Sequence, residues 1–296
     1  MTNRSQRVTV QAALLVSLTL LSLVFVPGAS ARSFTQLIVF GDSLSDSGNL
    51  FTATGGAVPP SPPYFDGRFS NGPVWVEYLA AELGVPAQNF AFGGALTGRT
   101  NRFDDPGIPA EFPGLLDEID MFLDLNGGVA DPHALYVVWA GANDFFAAPA
   151  LTSIQPAVAN LVTAVRALAT RGARHIVVPT MPDLGLTPDG HASGFSRQLT
   201  ALSGVFNRVM KARLRVLGVT TFDVFGLFHE IVNDPADFGI SDATTACLDL
   251  DPFSLCADPD EHLFWDSVHP TTRGHQILAD RLHEFVREHA GHRLDR

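Results

Sequence analysis

The sequence is poor in cysteine and in basic residues, and it lacks the short motifs that mark several common protein classes. Two cysteines occur in 296 residues, and 19 Lys and Arg stand against 31 Asp and Glu, for a net charge of −12. An acidic chain repels the phosphates of nucleic acids, so a nucleic-acid partner is disfavoured. The sequence has no Walker motif, no strand-linked GxGxxG, no paired CxxC and no HExxH. The usual phosphate-loop and zinc signatures are therefore absent.

Long hydrophobic runs are also missing, apart from one near the N-terminus. Arg4 and Arg7 precede the apolar stretch 12–26, which ends before the small residues of 29–31. A basic start, a short apolar run and a small-x-small triplet are typical of a secretory signal peptide, whereas a membrane span needs a longer run. We therefore predict a signal peptide over residues 1–31 and export to a secreted, periplasmic or cell-surface location. An uncleaved membrane anchor is the alternative.

Removal of that segment leaves residues 32–296, with 17 basic and 31 acidic residues and a net charge of −14. In this part the two cysteines, Cys247 and Cys256, are close together in a segment rich in Asp, Pro and Ser. Exported proteins mature in an oxidising compartment, where a lone close pair of cysteines is usually bridged. We predict a disulfide between them.

Strand-like and helix-like segments alternate along residues 32–296, which we interpret as a single domain. Short apolar runs indicate strands at 37–40, 88–92, 134–140, 175–178 and 219–224, and apolar residues at helical spacing indicate helices between and after them. This alternation predicts an α/β fold, a three-layer α/β/α sandwich around a parallel sheet. The acidic segment 233–261 is predicted to be an insertion loop, and its spacing matches no EF-hand.

The stretch FGDSLSDSGN contains a candidate nucleophile. Ser43 follows the apolar strand 37–40, and Gly41 stands where a sharp turn would be needed. Ligands bind beyond the carboxyl ends of the strands in open α/β sheets, so this position suits a catalytic serine. A serine that only caps the following helix is the simpler alternative. The position of Ser43 does not distinguish the two interpretations.

A nucleophilic serine requires a base, and the segment FWDSVHP offers one. Asp266 and His269 are three residues apart, so one turn would let the carboxylate reach Nδ1 of the imidazole and leave Nε2 for a hydroxyl. The alternative is a helix cap beside a surface histidine. A metal site that adds His262 is a further alternative, although its spacing is not a standard one.

Acyl transfer also requires hydrogen-bond donors for the developing oxyanion. The backbone N–H of Gly94 and the side-chain amide of Asn143 both follow predicted strands, and the N–H of Ser43 is a third candidate. Taken singly, a glycine for close packing and an asparagine that stabilises a turn are the simpler interpretations.

The Pro-rich segment 52–72 comes shortly after the candidate nucleophile. Its aromatic residues Tyr64, Phe65 and Phe69 either line a substrate cleft or belong to an ordinary surface loop, and the sequence leaves both interpretations open.

Four short blocks resemble those of the GDSL family, the SGNH hydrolases, and they occur in the family's order. They are Gly41-Asp42-Ser43-Leu44, Asn89-x-Ala91-x-x-Gly94, Gly141-x-Asn143-Asp144 and Asp266-x-x-His269. The longer strings GRFSNGPVW, NFAFGGA and FWDSVHPT are similar to the branch that holds bacterial lecithinase or haemolysin-like lipases and plant GDSL esterases. The GxSxG motif of ordinary α/β-hydrolases is absent.

The resemblance implies a flavodoxin-like sandwich with a mainly parallel, five-stranded sheet. It implies a carboxylic-ester hydrolase that uses Ser43 as nucleophile, His269 as base and Asp266 as the acid that orients it. The oxyanion hole would consist of Ser43, Gly94 and Asn143. No cofactor and no metal are implied.

The expected partner is a small-molecule or lipid ester, with transient contact to a lipid surface and no nucleic acid. Three alternatives stay open at this point. The same site could transfer its acyl group to an alcohol, or it could remove acetyl groups from a carbohydrate. Outside the enzymes, a catalytically idle surface binding protein would keep the same fold.

Overall fold

The computed structural model describes residues 34–104, 111–147 and 150–289. Its central sheet has five strands, all parallel, in the order β2-β1-β3-β4-β5. The strands are β1 Leu37–Gly41, β2 Ala87–Asn89, β3 Leu135–Trp139, β4 His175–Pro179 and β5 Thr220–Phe222. The predicted α/β class and five-stranded sheet are confirmed, and the signal peptide predicted for residues 1–31 lies outside the described residues.

Helices cover both faces of the sheet. They are α1 Asn49–Ala53, α2 Trp75–Leu83, α3 Leu115–Leu125, α4 Ala142–Ala147, α5 Ile154–Thr170, α6 Pro188–Ala192, α7 Ser196–Arg215, α8 Val224–Asn233 and α9 Thr272–His289. Side chains alternate between the two faces of a strand, so β1 sends Ile38 and Phe40 to the core shared with α3, α5 and α7. Leu37 and Val39 enter the second core, which α2, α8 and α9 cover. The result is three layers.

The order of the strands places a switch point at β1. The chain leaves β1 for β2 on one side and later returns to build β3 on the other side. Connections therefore diverge at the carboxyl end of β1, which opens a crevice there. Ser43 lies two residues beyond the end of β1.

The acidic segment 233–261 is more ordered than predicted. It contains β6 Asp242–Ala246 and the antiparallel pair β7 Leu248–Leu250 and β8 Phe253–Leu255. Strand β6 pairs in parallel with β9 His262–Phe264. The prediction of a plain loop was wrong. Each of these strands is short and is held by hydrogen bonds to another strand, β6 to β9 and β7 to β8. Local sequence propensity does not report such contacts between strands.

Cys247 and Cys256 form a disulfide that closes this hairpin. Cys247 is buried against Tyr64 and Trp265, and its backbone N–H donates to the carbonyl oxygen of Phe264 at 3.1 Å. The disulfide-closed hairpin therefore packs against the segment that leads into Asp266.

Among the helices that the structure describes, none is long and apolar enough to cross a bilayer.

Candidate active site

Ser43 lies in a tight turn that the end of β1 imposes. Gly41 has a φ of 155°, and a Cβ on it would lie 2.2 Å from the carbonyl oxygen of Trp139 on the neighbouring strand. No larger residue fits there without moving β3. The backbone N–H groups of Ser45 and Asp46 then donate to the carbonyl oxygen of Asp42, at 2.9 and 3.0 Å. These bonds hold Ser43 at the apex of the turn.

His269 is 226 residues from Ser43 in the sequence, and the fold brings it and Asp266 next to the serine. Nε2 of His269 lies 2.8 Å from the Ser43 hydroxyl, and Nδ1 lies 2.8 Å from Oδ2 of Asp266. The loop that carries both residues is closed by its own carboxylate, because the backbone N–H groups of Val268 and His269 donate to Oδ1 of Asp266 at 2.9 and 2.7 Å. The imidazole is thus oriented by a carboxylate and bonded to a hydroxyl, which is the arrangement that activates a serine.

Asp266 is buried, yet its surroundings keep it ionised. Burial by itself raises the pKa of a carboxyl, but the charge and hydrogen bond of His269 and the N–H of Val268 outweigh it and hold the pKa of Asp266 below its usual value. A charged Asp266 would stabilise an imidazolium at His269.

Tyr64 is a fourth member of this hydrogen-bonded chain. Its hydroxyl donates to Oδ2 of Asp266 at 2.7 Å, and its ring packs edge-on against Phe69 and Trp265. Burial, followed by the negative charge of Asp266, raises the pKa of Tyr64 above its usual value, so the hydroxyl stays a donor. Of the three aromatic residues of the Pro-rich loop, Phe69 lines the cavity beside Ser43, and Tyr64 is hydrogen-bonded to Asp266.

Tyr64→Phe is expected to lower kcat by roughly tenfold with little change in KM. The substitution keeps the packed ring and removes one hydrogen bond to a charged carboxylate, which is worth about 1.5–3 kcal/mol. Steady-state kinetics on a soluble ester measure the effect, and Phe65→Leu, in the same loop but 39% exposed, is the matched control. An unchanged kcat in Tyr64→Phe would show that Tyr64 has only a packing role.

The predicted oxyanion donors line the same cavity as His269. Gly94 has a φ of 78°, and a Cβ on it would come within 2.5 Å of Oδ1 of Asn101. Asn143, in the first turn of α4, uses one amide hydrogen on the carbonyl oxygen of Ala95 at 3.1 Å and keeps the second. Among the described residues, no acceptor is paired with the backbone N–H of Ser43 or of Gly94. All three donors border the same cavity.

A buried glutamate, which the sequence did not single out, links the end of β1 to the segment between β2 and Gly94. Glu118 of α3 is fully buried, and its two carboxyl oxygens accept the N–H of Gly41 at 2.7 Å and the N–H of Phe92 at 3.2 Å. Burial raises the pKa of Glu118 well above its usual range. The available signal was its place on the apolar face of α3, between Leu115 and Phe122, where a charged residue needs a partner.

Asp42, beside the nucleophile, is also buried, and burial raises its pKa to about 7. The N–H of Leu44, which donates to its Oδ1 at 3.1 Å, and the charge of His269 oppose this rise. The folded state therefore holds the proton of Asp42 more tightly than the unfolded chain does. The stability that this group contributes is fully present below its unfolded pKa of about 4, and it is lost as the pH rises through about 7.

Asp42→Asn should accordingly become more stable relative to the parent protein as the pH rises. The amide keeps an acceptor for Leu44 and cannot ionise. We expect the difference in free energy of unfolding, variant minus parent, to increase by roughly 1–3 kcal/mol between pH 5 and pH 8, since one pKa unit is worth about 1.4 kcal/mol. Urea unfolding at both pH values measures it. If the difference in free energy of unfolding did not change with pH, the raised pKa of the buried Asp42 would be contradicted.

The cavity beside Ser43 is small and mostly apolar. Its volume is about 190 Å³, and its lining residues include Phe69, Phe103, Phe146, Leu184 and Val268. The ring of Phe69 lies 5.0 Å from that of His269, and the guanidinium of Arg102 lies 5.2 Å from the centre of the Phe146 ring. The side chains of Ser43 and His269 therefore border an apolar surface that suits a hydrocarbon chain.

The fold brings together the five predicted site residues other than the cysteines. Ser43, His269 and Asp266 form one hydrogen-bonded chain, and Gly94 and Asn143 border the same cavity as Ser43. His262, the residue offered for a metal site, does not join them. Its ring contacts the carbonyl oxygen of Asp258 at 3.2 Å.

A comparison with protein families agrees with this geometry. The model of the GDSL-like lipase/acylhydrolase family matches residues 37–282, which is most of the chain. The chain belongs to this family. Membership makes this GDSL protein a carboxylic-ester hydrolase, as its motifs predict.

Two relatives and one solved structure show the range of the GDSL proteins that this chain is similar to. The phosphatidylcholine-sterol acyltransferase of Aeromonas hydrophila is 29% identical, with 87% of this chain and 91% of that protein covered. Esterase EstA of Pseudomonas aeruginosa is 31% identical over 90% of this chain, which spans only 49% of that esterase. A carbohydrate acetylesterase family member from Sinorhizobium meliloti shares the fold, with a TM-score of 0.51, 16% identity and coverage of 87% and 100%.

Proposed function

We propose that this GDSL protein is an exported serine hydrolase that cleaves lipid-like carboxylic esters through an acyl-enzyme on Ser43. The observation that carries the proposal is the chain of hydrogen bonds from Ser43 to His269 and on to Asp266, with both links at 2.8 Å, at the edge of an apolar cavity. A protein that only binds its ligand would gain no affinity from three hydrogen-bonded polar side chains beside an apolar wall.

In the first half of the reaction, Oγ of Ser43 attacks the carbonyl carbon while its proton passes to Nε2 of His269. The carbonyl oxygen becomes an oxyanion, which accepts hydrogen bonds from the N–H of Ser43, the N–H of Gly94 and the amide of Asn143. The intermediate collapses, the bond to the alcohol oxygen breaks, and His269 returns the proton to that oxygen. The alcohol leaves, and the acyl group stays on Ser43.

The second half repeats these steps with water. His269 removes a proton from water as the water oxygen attacks the acyl carbon, and the same three donors hold the oxyanion. The bond to Ser43 then breaks, and the proton moves from His269 to Oγ. Throughout, Asp266 stays ionised and holds the imidazole in place.

Export is supported by the predicted signal peptide over residues 1–31 and by the disulfide between Cys247 and Cys256, a bond characteristic of oxidising compartments. Expression of the full chain in a secreting host, followed by mass spectrometry of the exported protein, tests the proposal. We expect a mature N-terminus at Arg32 and no thiol that reacts before reduction. A full-length protein retained in the cells would contradict it.

The test of activity is a panel of esters, from acetyl to long acyl chains and including a phospholipid. We expect the mature protein to cleave them and Ser43→Ala to lose the activity. The apolar cavity favours a hydrocarbon acyl group, so cleavage of acetylated sugars alone would overturn the lipid preference while leaving the triad chemistry intact.

Acyl transfer to an alcohol is a second candidate, because the Aeromonas relative, 91% of which is covered, carries the name phosphatidylcholine-sterol acyltransferase. The acyl-enzyme on Ser43 is common to both reactions, and they differ only in what attacks it. Incubation of a phosphatidylcholine with a sterol distinguishes them. A sterol ester would indicate transfer, and free fatty acid with lysophosphatidylcholine and no sterol ester would indicate hydrolysis.

A further inference from the structure

An apolar groove with no assigned role lies next to the catalytic cavity. Its volume is about 700 Å³, within the range of pockets that hold small molecules. Its apolar lining includes Phe146 of α4, Leu151, and the α7 residues Leu199, Ala201 and Val205, with Phe195 just before α7. We call these six residues the acyl groove.

The exposure of its lining indicates that the acyl groove is a binding surface. Leu151 and Phe195 are 65% and 60% exposed, although both are large hydrophobic residues. Single exposed hydrophobic residues are ordinary, but a contiguous apolar surface around a concavity usually marks a site that a ligand or partner covers.

The acyl groove adjoins the catalytic cavity, and the two share one lining residue. Phe146 lines both, and it lies three residues after Asn143, on the same face of α4. The other ring of that helix, Phe145, is turned into the core against Phe206. A substrate whose carbonyl oxygen reaches Asn143 therefore has Phe146 directly beside its path.

A second connection runs through α6. Thr187, just before this helix, lines the catalytic cavity, and Asp189, inside it, borders the acyl groove. The N–H of Asp189 donates to the carbonyl oxygen of Ser267 at 2.9 Å, and Ser267 lies between Asp266 and His269. The catalytic loop and the wall of the acyl groove are thus joined by a backbone hydrogen bond.

The charge and volume of the two spaces identify the occupant. The catalytic cavity, at about 190 Å³, has room for a short acyl group, whereas a long chain must leave it past Phe146. Among the described residues that line the acyl groove, none is Lys or Arg, and the charged one is Asp189. A phosphate headgroup would be repelled there, and a hydrocarbon would not.

We propose that the acyl groove binds the distal part of a long acyl chain whose ester carbonyl lies at Ser43. Its role rests on the proposed function, since it extends the substrate site of the same reaction. The chemical class of the substrate is then an ester of a medium- to long-chain fatty acid, and chain length is selected beyond Phe146.

Two substitutions test this assignment. Ala201→Trp, at an exposed position, fills the acyl groove with a side chain, and Leu151→Glu puts a carboxylate on its wall. We expect each to lower the ratio of kcat/KM on a decanoyl ester to kcat/KM on an acetyl ester at least tenfold, because hydrophobic binding scales with the apolar area buried. Both esters are used as dissolved monomers of the same chromogenic alcohol.

Matched controls lie outside the acyl groove. Ala81→Trp adds the same ring to an exposed alanine of α2, and Leu125→Glu adds the same charge to a leucine that is 72% exposed at the end of α3. These variants should keep the parent ratio. Circular dichroism melts of all four variants identify any that fail to fold.

A binding measurement supplies a readout that does not require turnover. Ser43→Ala protein is titrated with the fluorescent fatty acid cis-parinaric acid. We expect saturable binding that decanoate displaces and acetate does not. Addition of Ala201→Trp to this variant should weaken the binding at least tenfold.

The outcomes separate the assignment of the acyl groove from the proposed function. Parent-like ratios and unchanged parinaric acid binding in the acyl-groove variants would overturn the assignment, and Ser43-dependent hydrolysis would stand. Loss of rate only on phosphatidylcholine vesicles, with the dissolved decanoyl ester unaffected, would assign the groove to membrane contact and also overturn it. A parent protein that cleaves no ester would overturn the proposed function, and the assignment would fall with it.

Discussion

Ser43→Ala is expected to lower turnover of every ester by a factor of at least roughly 10⁴. The substitution removes Oγ, the atom that lies 2.8 Å from Nε2 of His269, and so removes the covalent route. What remains is the stabilisation that the oxyanion donors give to direct attack by water. Steady-state kinetics measure the loss, and mass spectrometry after treatment with a fluorophosphonate should find the label on Ser43 of the parent protein and no label on the Ser43→Ala variant.

Ser47→Ala is the matched control. Its hydroxyl accepts a hydrogen bond from the side chain of Asn89 at 2.9 Å and belongs to the same turn-rich stretch. We expect turnover within a few-fold of the parent protein and normal labelling. If Ser43→Ala kept near-parental turnover, Ser43 would not be the nucleophile and the proposed mechanism would fail.

Asn143→Ala is expected to lower kcat by roughly 10²–10³-fold, with a small change in KM. The amide of Asn143 would donate to charge that exists only in the transition state, so its loss slows the chemical step more than it weakens substrate binding. Asn143→Asp should be at least as damaging, because it replaces a donor by a negative charge beside the developing oxyanion. Kinetics at saturating and limiting concentrations of a soluble ester separate the two parameters.

Asn126→Ala provides the control for that pair. Asn126 follows α3, and its amide donates to the carbonyl oxygen of Phe122 rather than bordering the cavity. Its kcat should equal that of the parent protein. A kcat within a few-fold of the parent in Asn143→Ala would remove Asn143 from the oxyanion hole and leave the two backbone N–H groups to provide it.

Local pattern was enough to predict the architecture. The strand predicted at 37–40 recurs in the structure as Leu37–Gly41, because a short apolar run that ends at a turn reports burial directly. The second strand is shorter than its pattern, Ala87–Asn89 rather than 88–92. Phe90 and Phe92 still donate to the carbonyl oxygens of Val39 and Gly41, but Gly93 and Gly94 turn the chain away from regular pairing.

The residues that support the site were harder to predict. Glu118 and Tyr64 belong to none of the four sequence blocks, and their partners are 77 and 202 residues away in the chain. No periodicity links positions so far apart. Their roles depend on how α3 packs against β1 and on the path of the Pro-rich loop, both of which follow from tertiary packing.

The amino-acid sequence by itself determined the fold class and the family resemblance, and it predicted the pairing of Asp266 with His269, since a spacing of three residues within one turn is a local feature of the chain. Only the tertiary structure decided that Nε2 of His269 faces Ser43, that Tyr64 donates to the acid, and that an apolar groove continues beyond Phe146. The physical reason is the range of the interactions. Propensity and spacing act over a few residues, whereas a site assembled at the carboxyl edge of a parallel sheet is built from loops that meet only when the sheet has formed.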